Sequence, residues 1–319
     1  MRTRFPVILI SLTFIVLGLL LFAQTGLLPI SKKPLPRAVT VPEAPTGRYY
    51  TALSPKGDIL FRTGLPVAAG DLFIDHDNIC HRITRVRNWT ASTEVVAEKP
   101  VDERPGVLAS QLRANQALAL NSPRVGIYHT HNDESFTPTQ GTAIQPGRGA
   151  VYEVGDALSR ALSQAGITVD HSYAAHDPHD ANAYSRSRRT VFALLRKNPD
   201  ALFDVHRDSA PSDEYFTYIT GIESAKVMIV VGRQNPHMAT NMAFARQVKA
   251  KADQVYPDLV RGIFIGHGSY NQDLHPRALL FEMSTDKLPE QLALDAARCL
   301  ADVLSVLLRE LPAGGVRGS

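Results

Sequence analysis

The feature that most constrains this chain is an alternation, after residue 124, of short apolar runs with amphipathic helical patterns. The apolar runs lie at 125–128, 167–169, 201–205, 226–231 and 278–281. The helical patterns lie at 152–165, 184–197, 238–255 and 289–311. Strands that are apolar throughout need helices on both sides. The sequence therefore predicts an α/β fold, with a mixed or mostly parallel sheet and helices on both faces.

Composition and charge exclude several classes of protein. The 319 residues are 44% hydrophobic and 20% charged, which is typical of a globular chain. The net charge of +3 is not gathered into a basic stripe, so no nucleic-acid partner is predicted. Cys80 and Cys299 are far apart and form no CxxC pair, so the cysteines predict neither a zinc finger nor a disulfide framework.

The N-terminal segment predicts attachment to a membrane. Arg2 and Arg4 precede an uncharged apolar run at 6–23, which is near the shortest length that spans a bilayer as a helix. We predict a signal anchor or transmembrane segment over residues 1–30, with a cytoplasmic N-terminus. The protein would then be a single-pass protein of the cell membrane, with its remaining residues outside the cytoplasm. A cleaved signal peptide is the alternative.

Three further segments precede the main domain. Residues 31–47 are rich in Pro and basic residues and predict an extended linker. Residues 48–100 alternate short apolar runs with Gly and Asp turns, which predicts a small β-rich module without an assignable motif. Residues 101–123 form a connecting segment that includes a predicted helix at 108–118. The predicted main domain covers residues 124–312.

Histidine and glutamate residues follow three of the apolar runs. His131 and Glu134 form an HxxE pair after the first run, and His129 precedes them by two residues. His206 follows the run that ends at residue 205, and Glu282 follows the run that ends at residue 281. Functional groups of such sheets gather beyond the carboxyl ends of the strands. We therefore expect these side chains to converge.

This set of residue types is what a catalytic zinc ion requires. Zinc commonly takes three protein ligands and keeps a fourth position for water, and His131, Glu134 and His206 would supply the three. Glu282 would be the general acid and base, and Asp208 could orient a liganding imidazole. Each piece alone also fits a solvated turn or a surface ion pair, and only the combination favours a metal site.

Other polar groups have open interpretations. The sequence His176-Asp177-Pro178-His179-Asp180 fits either a second metal site or a capped turn. Asn271 and Gln272 follow a Gly-rich loop, where amide groups suit hydrogen bonds to a peptide or sugar, although a plain loop fits equally. Ser209 has no evident base, which disfavours a serine hydrolase.

An ordered set of segments resembles the stage II sporulation protein P family and covers about residues 124 to 308. The segments are 127–136, 154–158, 204–209, 230–232, 256–259, 270–274 and 279–282. The family's motif positions fall on His129, His131, Glu134, His206, Arg207, Asp208 and Glu282. The match leaves open which of His129 and His131 binds metal, and the HxxE spacing favours His131. The residues after Glu282 depart from the Gly-rich, Asn-bearing continuation that we expect of this family.

The resemblance implies a bitopic exported protein that hydrolyses peptidoglycan. It implies a Zn²⁺-dependent amidase that cleaves the bond between N-acetylmuramic acid and L-alanine, with a fold similar to that of N-acetylmuramoyl-L-alanine amidases. It also implies septal wall remodelling in sporulation, beside a lytic transglycosylase and a membrane anchor protein. Two alternatives stay open: a cross-link endopeptidase or carboxypeptidase of the same fold, and a non-catalytic scaffold that binds the cell wall.

Overall fold

The computed structural model describes residues 47–96 and 122–310. The predicted anchor at 1–30, the linker up to residue 46 and the predicted helix at 108–118 lie outside the described residues. Within the described ranges, no helix has the length and apolar character needed to cross a membrane.

The described residues form thirteen strands and five α-helices. The strands are β1 (Tyr50–Leu53), β2 (Ile59–Thr63), β3 (Leu72–Asp75), β4 (Cys80–Arg87), β5 (Thr90–Val96), β6 (Arg124–Tyr128), β7 (Thr168–His171), β8 (Ala201–Asp208), β9 (Phe216–Ile219), β10 (Ile222–Ala225), β11 (Val227–Gly232), β12 (Val260–Gly266) and β13 (Ala278–Thr285). The helices are α1 (Thr137–Gln140), α2 (Val151–Gln164), α3 (Ala183–Leu195), α4 (Met238–Val255) and α5 (Glu290–Glu310).

Eleven of these strands form one mixed sheet in the order β2-β1-β5-β4-β3-β12-β11-β13-β8-β6-β7. Strands β7, β6, β8 and β13 are parallel to one another, and β11 runs antiparallel to β13. The predicted α/β class with a mixed sheet is confirmed. Because β6, β8 and β13 are parallel neighbours or next neighbours, their carboxyl ends lie at one edge, and the residues that follow or end them are brought together.

The β-rich region and the main domain share this sheet. Strands β1 to β5 form its first half, and β3 pairs antiparallel with β12 through Ile74 opposite Ile263. The side chains of Phe61, Phe73 and Phe264 pack across this junction, and the rings of Phe61 and Phe73 lie 4.2 Å apart. Apolar packing of this kind makes the junction part of the core.

Strand β8 shows how the helices cover both faces. Leu202 packs with Val191 and Leu194 of α3, whereas Phe203 packs on the opposite side against Phe244 of α4. Successive residues of a strand point to opposite faces. Asp204 and His206 therefore share the α3 side with Leu202, and this face carries the polar groups of the site.

Strands β7, β8, β11 and β13 extend beyond their predicted ends, and strands β4, β9, β10 and β12 were not predicted. Strand β8 continues to Asp208 and β13 to Thr285, so His206 and Glu282 lie within strands and not after them. Strand β12 was missed because Arg261 and two glycines interrupt its apolar pattern. The hairpin of β9 and β10 forms a separate two-stranded sheet. Its exposed residues interrupt the alternation of apolar and polar residues by which a strand is predicted.

Candidate metal site

His131, Glu134 and His206 meet in a buried cluster at the edge of the sheet. One ligand atom from each lies within 4.8 Å of the others. The Oε1 atom of Glu134 is 3.4 Å from Nδ1 of His206 and 3.7 Å from Nδ1 of His131. All three residues are at most 3% exposed. The structure thus brings together the three residues that the sequence predicts as metal ligands.

The loop after β6 carries two of these residues and is fixed along its length. The backbone N–H of Arg207 donates to Oε2 of Glu134 over 3.0 Å, which ties the loop to β8. The N–H of Ser135 donates to the carbonyl of Ala143 on the returning chain. A Cβ on Gly149 would lie 2.1 Å from the carbonyl oxygen of Glu134, so only glycine permits this close approach.

Glu282 lies opposite His206 in the pairing of β13 with β8. Paired residues of neighbouring strands direct their side chains to the same face, and Glu282 is 2% exposed. The register shifts between Glu282 and Thr285, and Ser284 has a φ of 129°. This conformation favours glycine, which gives a physical reason for the Gly-rich continuation expected there.

A second carboxylate lies beside the His206 imidazole. The Oδ1 atom of Asp204 lies 2.9 Å from Nε2 of His206 and also accepts the backbone N–H of Thr130 over 2.8 Å. The Thr130 hydroxyl donates to Oδ2 of Asp204 over 2.6 Å. A carboxylate on one imidazole nitrogen fixes the ring and leaves the other nitrogen for a metal.

The prediction that Asp208 orients a liganding imidazole is wrong. Its Oδ1 accepts the N–H of Gly64 over 2.7 Å, and its Oδ2 accepts the hydroxyl of Tyr215 over 2.9 Å. Burial raises the pKa of Asp208 above its ordinary value. Asp208 therefore joins β8 to the region after β2, while Asp204, two residues before His206, contacts the imidazole.

The electrostatics of the cluster favour a cation. Burial alone would lower the pKa of His206, but the carboxylates of Asp204 and Glu134 raise it well above its ordinary value. Burial alone would raise the pKa of Glu134, but His206 and Arg207 hold it well below its ordinary value. Two ionised carboxylates flank one imidazole in a buried site, and such a group of charges needs compensation by a proton or a metal ion.

The donor set fits zinc. Two imidazole nitrogens and one carboxylate oxygen are ligands that Zn²⁺ takes in catalytic sites, where its bonds are about 2.0–2.2 Å long. The ligand atoms lie within 4.8 Å of one another, which places them around one common position. The outer partner that such an imidazole usually has is present as Asp204.

His129, the alternative ligand in the sequence, lies outside the cluster. Its Nδ1 is 2.8 Å from the carbonyl oxygen of Val205, and its Nε2 is 2.8 Å from Nε2 of His171. Burial and the neighbouring His171 lower the pKa of His129 to about 3. Because both of its ring nitrogens are engaged, His129 serves the fold, and the geometry selects His131.

Arg207 supports the loop of the cluster. Its Nε donates to the carbonyl of Ser135 over 3.1 Å, and a terminal nitrogen donates to the carbonyl of Ala143 over 2.7 Å. Another terminal nitrogen lies 3.8 Å from Oε1 of Glu134. Arg207, one of the family's motif positions, therefore holds this loop against β8.

Of the two interpretations of Asn271 and Gln272, the structure favours a role within the protein over hydrogen bonds to a peptide or sugar. Each is 1% exposed. The amide of Asn271 donates to the Tyr184 carbonyl over 3.0 Å, and Gln272 bonds to the backbone of β11 through both of its amide atoms. Their side chains are used within the protein, and they hold the loop before β13 in place.

The segment 176–180 contributes a residue that the sequence did not assign to this site. The ring of His179 stacks on that of His131 with centroids 4.1 Å apart, and its Nδ1 is 2.7 Å from Oδ1 of Asp133. His176 instead bonds to the carbonyl of His129 and to Thr190. Within this segment, His179 lies at the site and His176 supports the fold. The richness of the segment in metal-ligand residue types was the only sequence signal for a place near the site.

The fold and site together define a mixed α/β protein with a buried His–Glu–His cluster that can hold a divalent metal ion. The sequence profile described as Stage II sporulation protein P (SpoIIP) matches residues 84–305. The chain belongs to this family. The matched region includes the cluster, Glu282 and the strands that carry them.

One curated relative and two solved structures are similar to this chain. The Stage II sporulation protein P of Bacillus subtilis (strain 168) is 33% identical over 201 residues, which are 57% of this chain and 50% of that relative. The match therefore spans half the length of the curated relative. An N-acetylmuramoyl-L-alanine amidase from Clostridium difficile 630 overlaps 59% of this chain and 96% of its own, with a TM-score of 0.38 and 19% identity. The amidase from Mycobacterium smegmatis overlaps 59% and 94%, with a TM-score of 0.37 and 13% identity.

Proposed function

We propose that this protein is a zinc-dependent peptidoglycan hydrolase, an amidase that cleaves the bond between N-acetylmuramic acid and L-alanine during sporulation-related wall remodelling. The observation that supports this proposal is the cluster of His131, Glu134 and His206 with Glu282 opposite His206. Family membership supports the sporulation setting. In this setting we propose a lytic transglycosylase and a membrane anchor protein as partners.

The residues present divide the chemistry among themselves. His131, Glu134 and His206 would hold the zinc ion, which when bound acidifies a water molecule and polarises the substrate carbonyl. Asp204 keeps the His206 ring in one orientation through its contact at Nε2. The Arg207 N–H holds the Glu134 carboxylate.

Glu282 would move the proton. Its carboxylate would accept a proton from the attacking water and deliver it to the leaving nitrogen as the C–N bond breaks. The oxygen of the water becomes part of the new lactyl carboxylate, and the peptide leaves with a free amino group on L-alanine. Burial of Glu282 keeps bulk water from competing for this transfer.

Digestion of purified sacculi by the full chain tests the proposal. Mass spectrometry should find free stem peptides that begin with L-alanine, and a chelator should abolish them. Loss of a single terminal residue would instead indicate a carboxypeptidase, and cut cross-links would indicate an endopeptidase. Binding to sacculi with full zinc content and no soluble product would indicate a scaffold.

The variant Glu282→Gln separates catalysis from folding. It keeps the shape of the side chain but removes the proton acceptor, so product formation should fall by about 10²–10⁴-fold. Zinc content and melting temperature should match those of the parent protein. Unchanged hydrolysis by this variant would remove Glu282 from the mechanism.

A further inference from the structure

The turn between β4 and β5 presents a basic surface that the proposed hydrolysis does not use. We name it the arginine hairpin face, and its residues line an open cavity of about 370 Å³. The lining residues are Arg85, Arg87, Asn88, Thr90 and Ser92. Within the described part of the chain, no acidic side chain lines this cavity. The face therefore offers two guanidinium groups together with small hydroxyl donors.

The register of the hairpin places these groups together. Arg85 lies opposite Ser92, and Arg87 lies opposite Thr90. Residues two apart in a strand share one face, so both arginines point outward. The intervening Val86 and its partner Ala91 point inward, and Ala91 is fully buried. The packing of the inward side fixes which side chains face the solvent.

The arginines of this face have no ion pair among residues 47–96 and 122–310. The neighbouring Arg82, by contrast, pairs with Glu94 at 3.2 Å. Both Arg85 and Arg87 are exposed. Two guanidinium groups that no described carboxylate compensates, beside hydroxyls, suit phosphate, which accepts paired hydrogen bonds from arginine.

Aromatic residues flank the turn. Trp89 is the only tryptophan of the chain. The guanidinium of Arg48 lies 5.7 Å from its ring centroid, and the ring of Tyr50 lies 4.9 Å from it. Tyr49 is 37% exposed. Tryptophan and tyrosine beside basic residues are typical of surfaces that meet the headgroup region of a bilayer.

The chain also enters the described region at this face. Arg48, the second described residue, contacts Trp89, and the N–H of Thr51 donates to the Trp89 carbonyl over 2.8 Å. The residues before it are the predicted Pro-rich linker, which contains Lys32, Lys33 and Arg37 and follows the predicted anchor. Chain connectivity therefore leads from the predicted anchor to the arginine hairpin face.

From these observations we infer that the arginine hairpin face binds the phosphate groups of an anionic phospholipid surface. The basic charge, the aromatic flank and the point of chain entry each favour a membrane as the partner. Each basic residue near an anionic surface contributes about 5-fold to the equilibrium for contact. Arg85 and Arg87 together should contribute about 30-fold.

Fluorescence of Trp89 tests this inference in the full chain. The chain is reconstituted in nanodiscs of phosphatidylcholine alone or with phosphatidylglycerol, each with brominated acyl chains that quench tryptophan. Quenching should be strong in the phosphatidylglycerol discs and weak in the others. Salt at about 0.5 M should reverse it, because screening shortens the range of the attraction.

Two variants of equal charge complete the test. Arg85→Ser/Arg87→Ser should shift the contact equilibrium by about 30-fold and remove most of the quenching. Arg160→Ser/Arg196→Ser, which removes two exposed arginines elsewhere, should leave it unchanged. Equal quenching in both lipids, or full quenching in the first variant, would overturn the inference. A Trp89 response to purified anionic wall polymer but not to phosphatidylglycerol would also overturn it.

The salt titration uses only the parent protein, so the inference can fail even when a variant does not fold. Quenching in phosphatidylglycerol discs that persists unchanged at about 0.5 M salt would contradict an electrostatic contact. Quenching of Trp89 does not depend on peptidoglycan cleavage, so this experiment and the digestion of sacculi can fail independently.

Discussion

His129 and His131 leave the same strand two residues apart, yet they take part in different regions of the molecule. His131 lies with Glu134 and His206, where carboxylates surround the imidazoles. His129 lies with His171, and its two ring nitrogens meet a backbone carbonyl and another imidazole. Both are buried. The difference shows that the partners of the ring nitrogens, and not burial or residue type, decide whether a histidine can hold a metal ion.

The charges around the imidazoles also differ between the two regions. The pKa of His206 is well above its ordinary value because of Asp204 and Glu134, although burial opposes this. The pKa of His129 is lowered to about 3 by burial and by His171. The first region stabilises a positive charge on its imidazole, and burial in the second region disfavours one. Variants at the two positions should therefore fail in different ways.

The largest expected effect is loss of zinc in His131→Ala. The variant removes one of the three proposed ligands, so zinc affinity should fall by more than the roughly 100-fold that loss of an outer partner can cost. Elemental analysis after dialysis measures it. Full zinc content in this variant, combined with loss of zinc in a His129 variant, would reverse the comparison.

The variant His129→Ala should lose stability and keep zinc. It opens a cavity and leaves the Val205 carbonyl without its donor, at a cost of about 3 kcal/mol in the free energy of unfolding. Urea denaturation gives this value, and elemental analysis on the folded protein gives the metal content. A free energy of unfolding within about 0.5 kcal/mol of the parent's, as is usual for surface substitutions, would contradict the structural role.

The pair Asp204→Asn and Asp208→Asn sharpens the description of the first region. Asp204 contacts the His206 imidazole, so its variant should bind zinc about 10- to 100-fold more weakly. Asp208 bonds to Gly64 and Tyr215, so its variant should keep the affinity of the parent. Competition with a zinc indicator measures both. Equal losses in the two variants would show that charge alone, without contact, sets the affinity.

The smallest expected effect, taken over a single pH unit, is the dependence of stability on pH. The unfolded chain binds protons on His129 and His171 below an ordinary histidine pKa of about 6.5, whereas burial lowers the pKa of both in the folded state. Stability is therefore complete above about pH 6.5 and falls as the pH drops toward the His129 pKa of about 3. Each group contributes at most about 1.4 kcal/mol per pH unit.

Denaturation at a series of pH values measures this slope. The variant His171→Gln removes one of the two groups, so its stability should fall less steeply between about pH 6.5 and pH 4. A slope in this variant equal to that of the parent would place the acid sensitivity elsewhere in the molecule.

The alternation of apolar runs and helical patterns was enough to predict the α/β class and the convergence of His131, Glu134 and His206. The carboxyl ends of parallel strands lie at one edge of a sheet. Residues about seventy positions apart could therefore be assigned to one site from the strand ends alone. The pairing of Glu282 with His206 follows from the same order.

Other features depend on contacts that the sequence does not encode locally. Asp204 and Asp208 flank His206 at equal spacing and share its face, so periodicity cannot choose between them. The hydrogen bonds from Thr130 hold Asp204, and not Asp208, beside the His206 imidazole. Asn271 and Gln272 have the composition of binding residues, but neighbouring elements use their amides.

Anomalous diffraction at the zinc absorption edge, from crystals grown with zinc, would locate the proposed ion. We expect a peak about 2.0–2.2 Å from one atom each of His131, Glu134 and His206. A peak on His129 and His171, or no peak at the cluster of a zinc-loaded protein, would contradict it.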